Sequence, residues 1–74
     1  MTSRAQHVVP QAGKWSVRKA GSARSTSVHA TQDEAIKAAT AIARNYGTEL
    51  YIHGEDGRIR ERNSFGENHA QSKR

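Results

Sequence analysis

The sequence predicts an α+β domain of ββαββ order, with one helix packed on one face of an antiparallel sheet. Three observations predict it. Residues 14–19 alternate between apolar and polar, an amphipathic stretch between Thr31 and Gly47 carries the signals of both helix ends, and a second alternating run at 49–54 leads into an Asp-Gly pair.

In chain order, His7-Val8-Val9 is a short strand candidate that Pro10, lacking an amide donor, should end or hold at an edge. Gln11-Ala12-Gly13 then turns the chain. In the following strand Trp15 and Val17 face one way while Lys14, Ser16 and Arg18 face the other, the period of two of a half-buried strand. Together these form a first hairpin. Gly21 breaks the chain within residues 20–24, and 25–29 could add a brief third strand with Val28 turned inward.

The helix is the best-marked element. Thr31 and Glu34 stand at the spacing of a capping box, in which each side chain answers a free backbone amide. Asp33 and Glu34 suit the positive end of the helix dipole. Ala35, Ile36, Ala39, Ile42, Ala43 and Tyr46 share one stripe, with Lys37, Thr40 and Arg44 opposite. Gly47 fits the left-handed position that ends a helix. An inner stripe this rich in alanine lets the helix lie close to a sheet.

After the helix, Leu50 and Ile52 point one way, and Glu49, Tyr51 and His53 the other. Asp56-Gly57 is a favoured type I′ pair. As a two-residue loop it would pair Glu55 with Arg58, His53 with Arg60 and Tyr51 with Arg62, with Ile59 on the core side. Phe65 closes the fold over a core edge. Residues 1–5 are expected to be flexible, 6–66 to form the single domain and 67–74 to be a disordered tail.

Composition bounds the function. Seventy-four residues with 34% apolar content give one domain with a thin core, and the absence of cysteine removes disulfides and thiolate metal sites as staples. A second copy of the chain could supply the missing burial, so a homodimer through a sheet edge is expected. No run is long enough to span a membrane and no secretory leader is visible, so a cytoplasmic location is the default. Net charge is +5. Residues 1–30 hold five basic and no acidic side chains, whereas 31–66 hold five basic and six acidic. The excess sits in the first hairpin and its connection, which suggests an anionic partner.

Several segments together resemble a known family. They are His7-Val8-Val9-Pro10, Gly13-Lys14-Trp15-Ser16-Val17, residues 26–32, Glu34-Ala35-Ile36, His53-Gly54, Asp56-Gly57-Arg58-Ile59 and Asn63-Ser64-Phe65-Gly66. Over residues 7–66 the chain is similar to the small bacterial domains called domain of unknown function 2188. The resemblance implies the same β-β-α-β-β order. It implies no activity and carries over no functional residues.

Catalysis is not expected. The serines fall in loops or on the solvent face and none lies in a nucleophile elbow, while Asp33, Glu34 and Asp56 are accounted for by capping and turn formation. No phosphate-binding glycine loop is present and no cofactor is expected. His7, His29, His53 and His69 lack the helical spacing of ligand pairs. His7 and His53 could converge if their strands are neighbours, but two imidazoles without a third ligand make a poor zinc site.

The sharpest expectation concerns the sheet face away from the helix, which alternation furnishes with Lys14, Ser16, Arg18, Tyr51, His53, Arg58, Arg60 and Arg62. Guanidinium forks suit phosphate oxygens, and an aromatic on an open sheet can stack on a base. DNA or RNA, bound with low sequence specificity, is therefore the expected partner. Lys14, Arg18, Arg58, Arg60 and Arg62 would be on phosphates, with Tyr51 and His53 on sugar or base. The competing expectation is an ordinary polar face of a protein-interaction or homodimerisation module.

Overall fold

The structure is a computed structural model and describes residues 5–22 and 24–65. The expected flexible tail and all of the expected flexible N-terminus but Ala5 lie outside these residues. Ala5 itself is buried, and its carbonyl accepts the Ala20 amide at 2.8 Å, so the ordered chain starts earlier than expected.

Five strands and one helix follow in the order β1 (Gln6–Gln11), β2 (Lys14–Lys19), β3 (Ser25–His29), α1 (Gln32–Tyr46), β4 (Glu49–His53) and β5 (Ile59–Ser64). They make an α+β fold with a single sheet of order β3-β2-β1-β4-β5. Every pairing is antiparallel except β1 with β4, which is parallel. The sheet is thus mixed, because the crossover through α1 returns the chain beside its own first strand.

Both helix ends form as the sequence dictates. Thr31 is extended and its Oγ1 accepts the Glu34 amide at 3.2 Å. Gly47 is left-handed at φ 65°, and the amides of Gly47 and Thr48 close on the carbonyls of Arg44 and Ala43. Ala35, Ala39 and Ala43 are fully buried against Val8, Val17, Leu50 and Ile52, with Trp15, Ile36, Ile42 and Phe65 partly buried around them. Three methyl side chains at successive helical turns let the backbone settle closely onto the sheet. Tyr46, the last residue of the expected stripe, stands 52% exposed, one turn beyond the sheet contact.

Pro10 does not end its strand. It pairs with Trp15, and β1 runs on to Gln11. The parallel partner β4 meets β1 only at Gln6, His7 and Val8, so Pro10 sits where β1 has no neighbour on that side and its missing amide costs no ladder bond.

Two register details correct the sequence reading. Between β4 and β5 the loop has three residues, not two. The Gly57 amide bonds to the Gly54 carbonyl at 2.9 Å, the Gly54 amide bonds to the Arg58 carbonyl at 2.8 Å, and Gly57 alone is left-handed. This is a turn closed by a glycine bulge. Ile59 therefore lies opposite His53, where Arg60 was expected, and is 54% exposed instead of buried under the helix. A second irregularity, between Ile52 and His53, leaves Arg60 unpaired and restores the expected Tyr51–Arg62 pairing. Val28 likewise faces away from the core. It pairs with Ser16 and is 47% exposed, while its neighbours Ser27 and His29 lie across from Val17 and Trp15.

Candidate nucleic-acid interface

The register fixes what the uncovered face presents. The pairs Val8–Val17 and Val8–Ile52 are core pairs, so the adjacent positions His7, Arg18 and Tyr51 form a row across β2, β1 and β4 on the opposite face. Arg62 extends that row onto β5, and Lys14 stands at the far end of β2 opposite Gln11.

At the centre of this row the rings of His7 and Tyr51 stack, with centroids 4.9 Å apart and planes 21° from parallel. His53 joins them, its ring centroid 5.3 Å from that of His7. The His7 Nδ1 and the His53 Nε2 are 3.0 Å apart, and the His53 Nδ1 lies 2.8 Å from the Gly57 carbonyl oxygen. Burial and the facing charge of His53 lower the pKa of His7. The Tyr51 hydroxyl donates to the Glu49 carboxylate at 2.6 Å. That bond, with burial and the negative charge of Glu49, raises the tyrosine pKa against an opposing pull from Arg62. Glu49, Tyr51, His7, His53 and the Gly57 carbonyl thus form one continuous polar and aromatic line.

The expected cations are not equivalent. Lys14, Arg58, Arg60 and Arg62 are exposed, but Arg58 closes the turn opposite Gly54, a helix-side position, and so leaves the expected row. Arg18 instead lies down on the sheet. Its Nη2 reaches Gln11 Oε1 at 3.3 Å, the same oxygen that accepts from Ser25 Oγ at 3.1 Å, and its Nε is buried with no partner. Ser16 was expected to face solvent; it is 0% exposed and its hydroxyl has no partner.

Arg60 leaves the expected platform. Its Cγ and Cδ lie 3.1 and 3.2 Å from the point where a Gly54 Cβ would stand. Gly54 continues the alternation of Leu50 and Ile52, so that point is on the helix side of the sheet. The bulge that restores the Tyr51–Arg62 pairing is what turns Arg60 away.

Sequence reasoning missed His7 as a member of the site, together with Gln11 and Ser25. His7 and His53 are forty-six residues apart, and only the parallel pairing of β1 with β4 brings them together. Among the described residues no group of three or more His, Cys, Asp or Glu side chains converges to hold a metal ion. Nor is any helix among those residues long and apolar enough to cross a membrane.

Comparison with known proteins gives two matches. A family model described as an uncharacterized protein conserved in bacteria, DUF2188, matches residues 6–65. The uncharacterized protein YdaT of Bacillus subtilis (strain 168) is 32% identical over 66 residues, which cover 89% of this chain and 44% of that relative. The chain therefore spans less than half the length of the curated relative it matches. No solved structure matches it.

Proposed function

We propose that this chain, which belongs to the bacterial DUF2188 family, is a non-catalytic domain that binds single-stranded nucleic acid with low sequence specificity through the sheet face opposite α1. One observation carries the reading: the His7–Tyr51 stack lies open on that face with Arg62 paired beside it. An aromatic platform flanked by a guanidinium binds bases by stacking and phosphates by charge, irrespective of sequence. The net charge of +5 supplies long-range attraction to a polyanion. Duplex is disfavoured because its bases, already stacked on one another, offer no free face to these rings.

Titration of labelled single-stranded and duplex oligonucleotides at two salt concentrations tests this. Two exposed cations on that face, Lys14 and Arg62, predict a log–log salt slope of about −1.4 on a single strand. Arg62→Glu and Tyr51→Ala should each weaken binding at least tenfold, while Arg60→Glu should have the smaller effect because its side chain is directed elsewhere. Absence of binding at low salt, or equal losses from Arg60→Glu and Arg62→Glu, overturns the proposal.

A second reading is favoured by a separate observation. Val28 on β3 and Ile59 on β5 are exposed apolar side chains on the two edge strands of the sheet. Edge pairing between two copies would cover such a strand and make the domain a homodimerisation module. Light scattering across a concentration series tests it. A dimer that dissociates in a Val28→Lys, Ile59→Lys double variant supports it, and a monomer at every concentration rejects it.

A further inference from the structure

On the other side of the sheet, the C-terminal half of α1 and the β2–β3 end border an open groove of about 910 Å³. Its origin is legible in the side chains. The β3 residues that line it, Ser25 and Thr26, are too small to fill the space beside Ile42 and Tyr46. Lys19, Arg24 and Arg44 line it, and among the described residues no acidic one does.

Three like charges gathered around one concavity repel each other, so the fold must have a reason to place them together. Arg44 has two structural reasons to be there. It lies in the last turn of α1, where the helix dipole favours a cation, and its guanidinium sits 5.6 Å from the Phe65 ring centroid. Lys19 and Arg24 have no such reason, because neither side chain has a hydrogen-bond or ion-pair partner among the described residues. Arg24 is set in place by its backbone, whose amide and carbonyl both bond the Ser22 hydroxyl, at 3.2 and 3.3 Å.

We propose that this groove is a binding site for a small planar anion of the nucleoside monophosphate type. The phosphate is met by Lys19 and Arg24, and the ring lies on the wall formed by Ile42 and Tyr46. Guanidinium forks match phosphate oxygens in geometry as well as charge. The volume falls within the range of small-molecule sites, which run from about 300 to 1,000 Å³, and is larger than a bare phosphate needs. The groove is walled by the helix, so this inference is independent of the proposed nucleic-acid face.

The test is a two-dimensional NMR titration of the full chain with adenosine monophosphate, and in parallel with inorganic phosphate and with adenosine. Adenosine monophosphate should shift the amides of Lys19, Arg24 and residues 41–46, and should bind at least tenfold more tightly than either half alone. Arg24→Glu, at an exposed position that leaves the core intact, should weaken it at least tenfold, and Tyr46→Ala should weaken the nucleotide while leaving phosphate unchanged. Shifts confined to Lys14, Tyr51 and Arg62 would place the ligand on the other face and overturn the inference. So would the absence of shifts at millimolar nucleotide, binding indifferent to Arg24→Glu, or phosphate binding as tightly as the nucleotide.

Discussion

The Nδ1 of His7 and the Nε2 of His53 stand 3.0 Å apart across the parallel pairing of β1 with β4. The tautomers follow from the surroundings. His53 Nδ1 faces the Gly57 carbonyl, which can only accept, so that nitrogen carries the proton and Nε2 of the neutral ring is the acceptor. His7 Nδ1 is then the donor. One ring can gain a proton without breaking the contact, but two charged imidazoles would turn donor against donor.

Stability should therefore depend on pH in a defined window. The pKa of His7 is lowered by burial first and by the His53 charge second. Folding favours the neutral ring, so this contribution is fully present above the ordinary histidine value of about 6.5 and is lost as pH falls from there through the lowered folded value. The melting temperature should fall between pH 7.5 and pH 5, and His53→Gln should shrink that fall by removing the facing charge. Flat melting temperatures across the window, or a fall unchanged in His53→Gln, would contradict the assignment.

How much of this was legible beforehand differs by element. The helix was, from Thr31 to Gly47, because its signals are local: a capping oxygen three residues from its amide and a glycine where φ must be positive. Which residues face the core in β2 and β4 was legible too, since alternation needs no knowledge of partners. Strand order was not, because the β1–β4 pairing is non-local, and with it the His7–His53 contact was hidden. The β4–β5 hairpin was legible at one end only. A glycine bulge shifts the register by one residue and the irregularity at Arg60 shifts it back. Tyr51–Arg62 thus survives a wrong turn assignment, while Ile59 and Arg60 do not. Val28 was misplaced for the same reason: a side chain's direction in a short edge strand is set by its pairing with β2.

Ser16 tests the price of a buried hydroxyl. Its Oγ is buried without a partner, so the fold carries the desolvation cost without the bond. Ser16→Ala should raise stability by up to about 1 kcal/mol in chemical denaturation, with no change in slope. A loss of about 1 kcal/mol instead would mean that the hydroxyl is engaged in solution.

Gly54 and Arg60 should be coupled. A Cβ at Gly54 would meet the Arg60 side chain, most closely at Nε and then at the Cγ and Cδ of its stem, which cannot move far without a rotamer change. The backbone of Gly54 is not left-handed, so the penalty belongs to that contact alone. Gly54→Ala should cost about 1–2 kcal/mol, as overpacking does, and Arg60→Ala close to nothing. Combined, they should cost at least about 1 kcal/mol less than the sum. Additivity in that double-mutant cycle would remove Arg60 from Gly54 and return it to the set of available cations.

Ala12 holds the one left-handed non-glycine backbone among the described residues, at φ 50°. It forms the β1–β2 turn with Gly13, also at positive φ, and Gln11 pairs with Lys14 across them. Two positive central angles are the requirement of a type I′ turn, which suits the right-handed twist of the strands it joins. Alanine meets that requirement at a cost of about 1–2 kcal/mol, from its Cβ against the following carbonyl. Asparagine tolerates the same angles, and Asn-Gly is the preferred pair for this turn. Ala12→Asn should therefore stabilise the domain by about 0.5–1 kcal/mol, a rise of roughly 2–8 °C in melting temperature for a chain of this size. Ala12→Val should lower it, since a β-branched side chain resists positive φ more strongly. Both substitutions lie at an exposed turn and remove no core contact, so the opposite signs isolate backbone strain. An Ala12→Asn variant no more stable than the parent, beside an Ala12→Val variant no less stable, would show that the turn relaxes out of the left-handed region in solution.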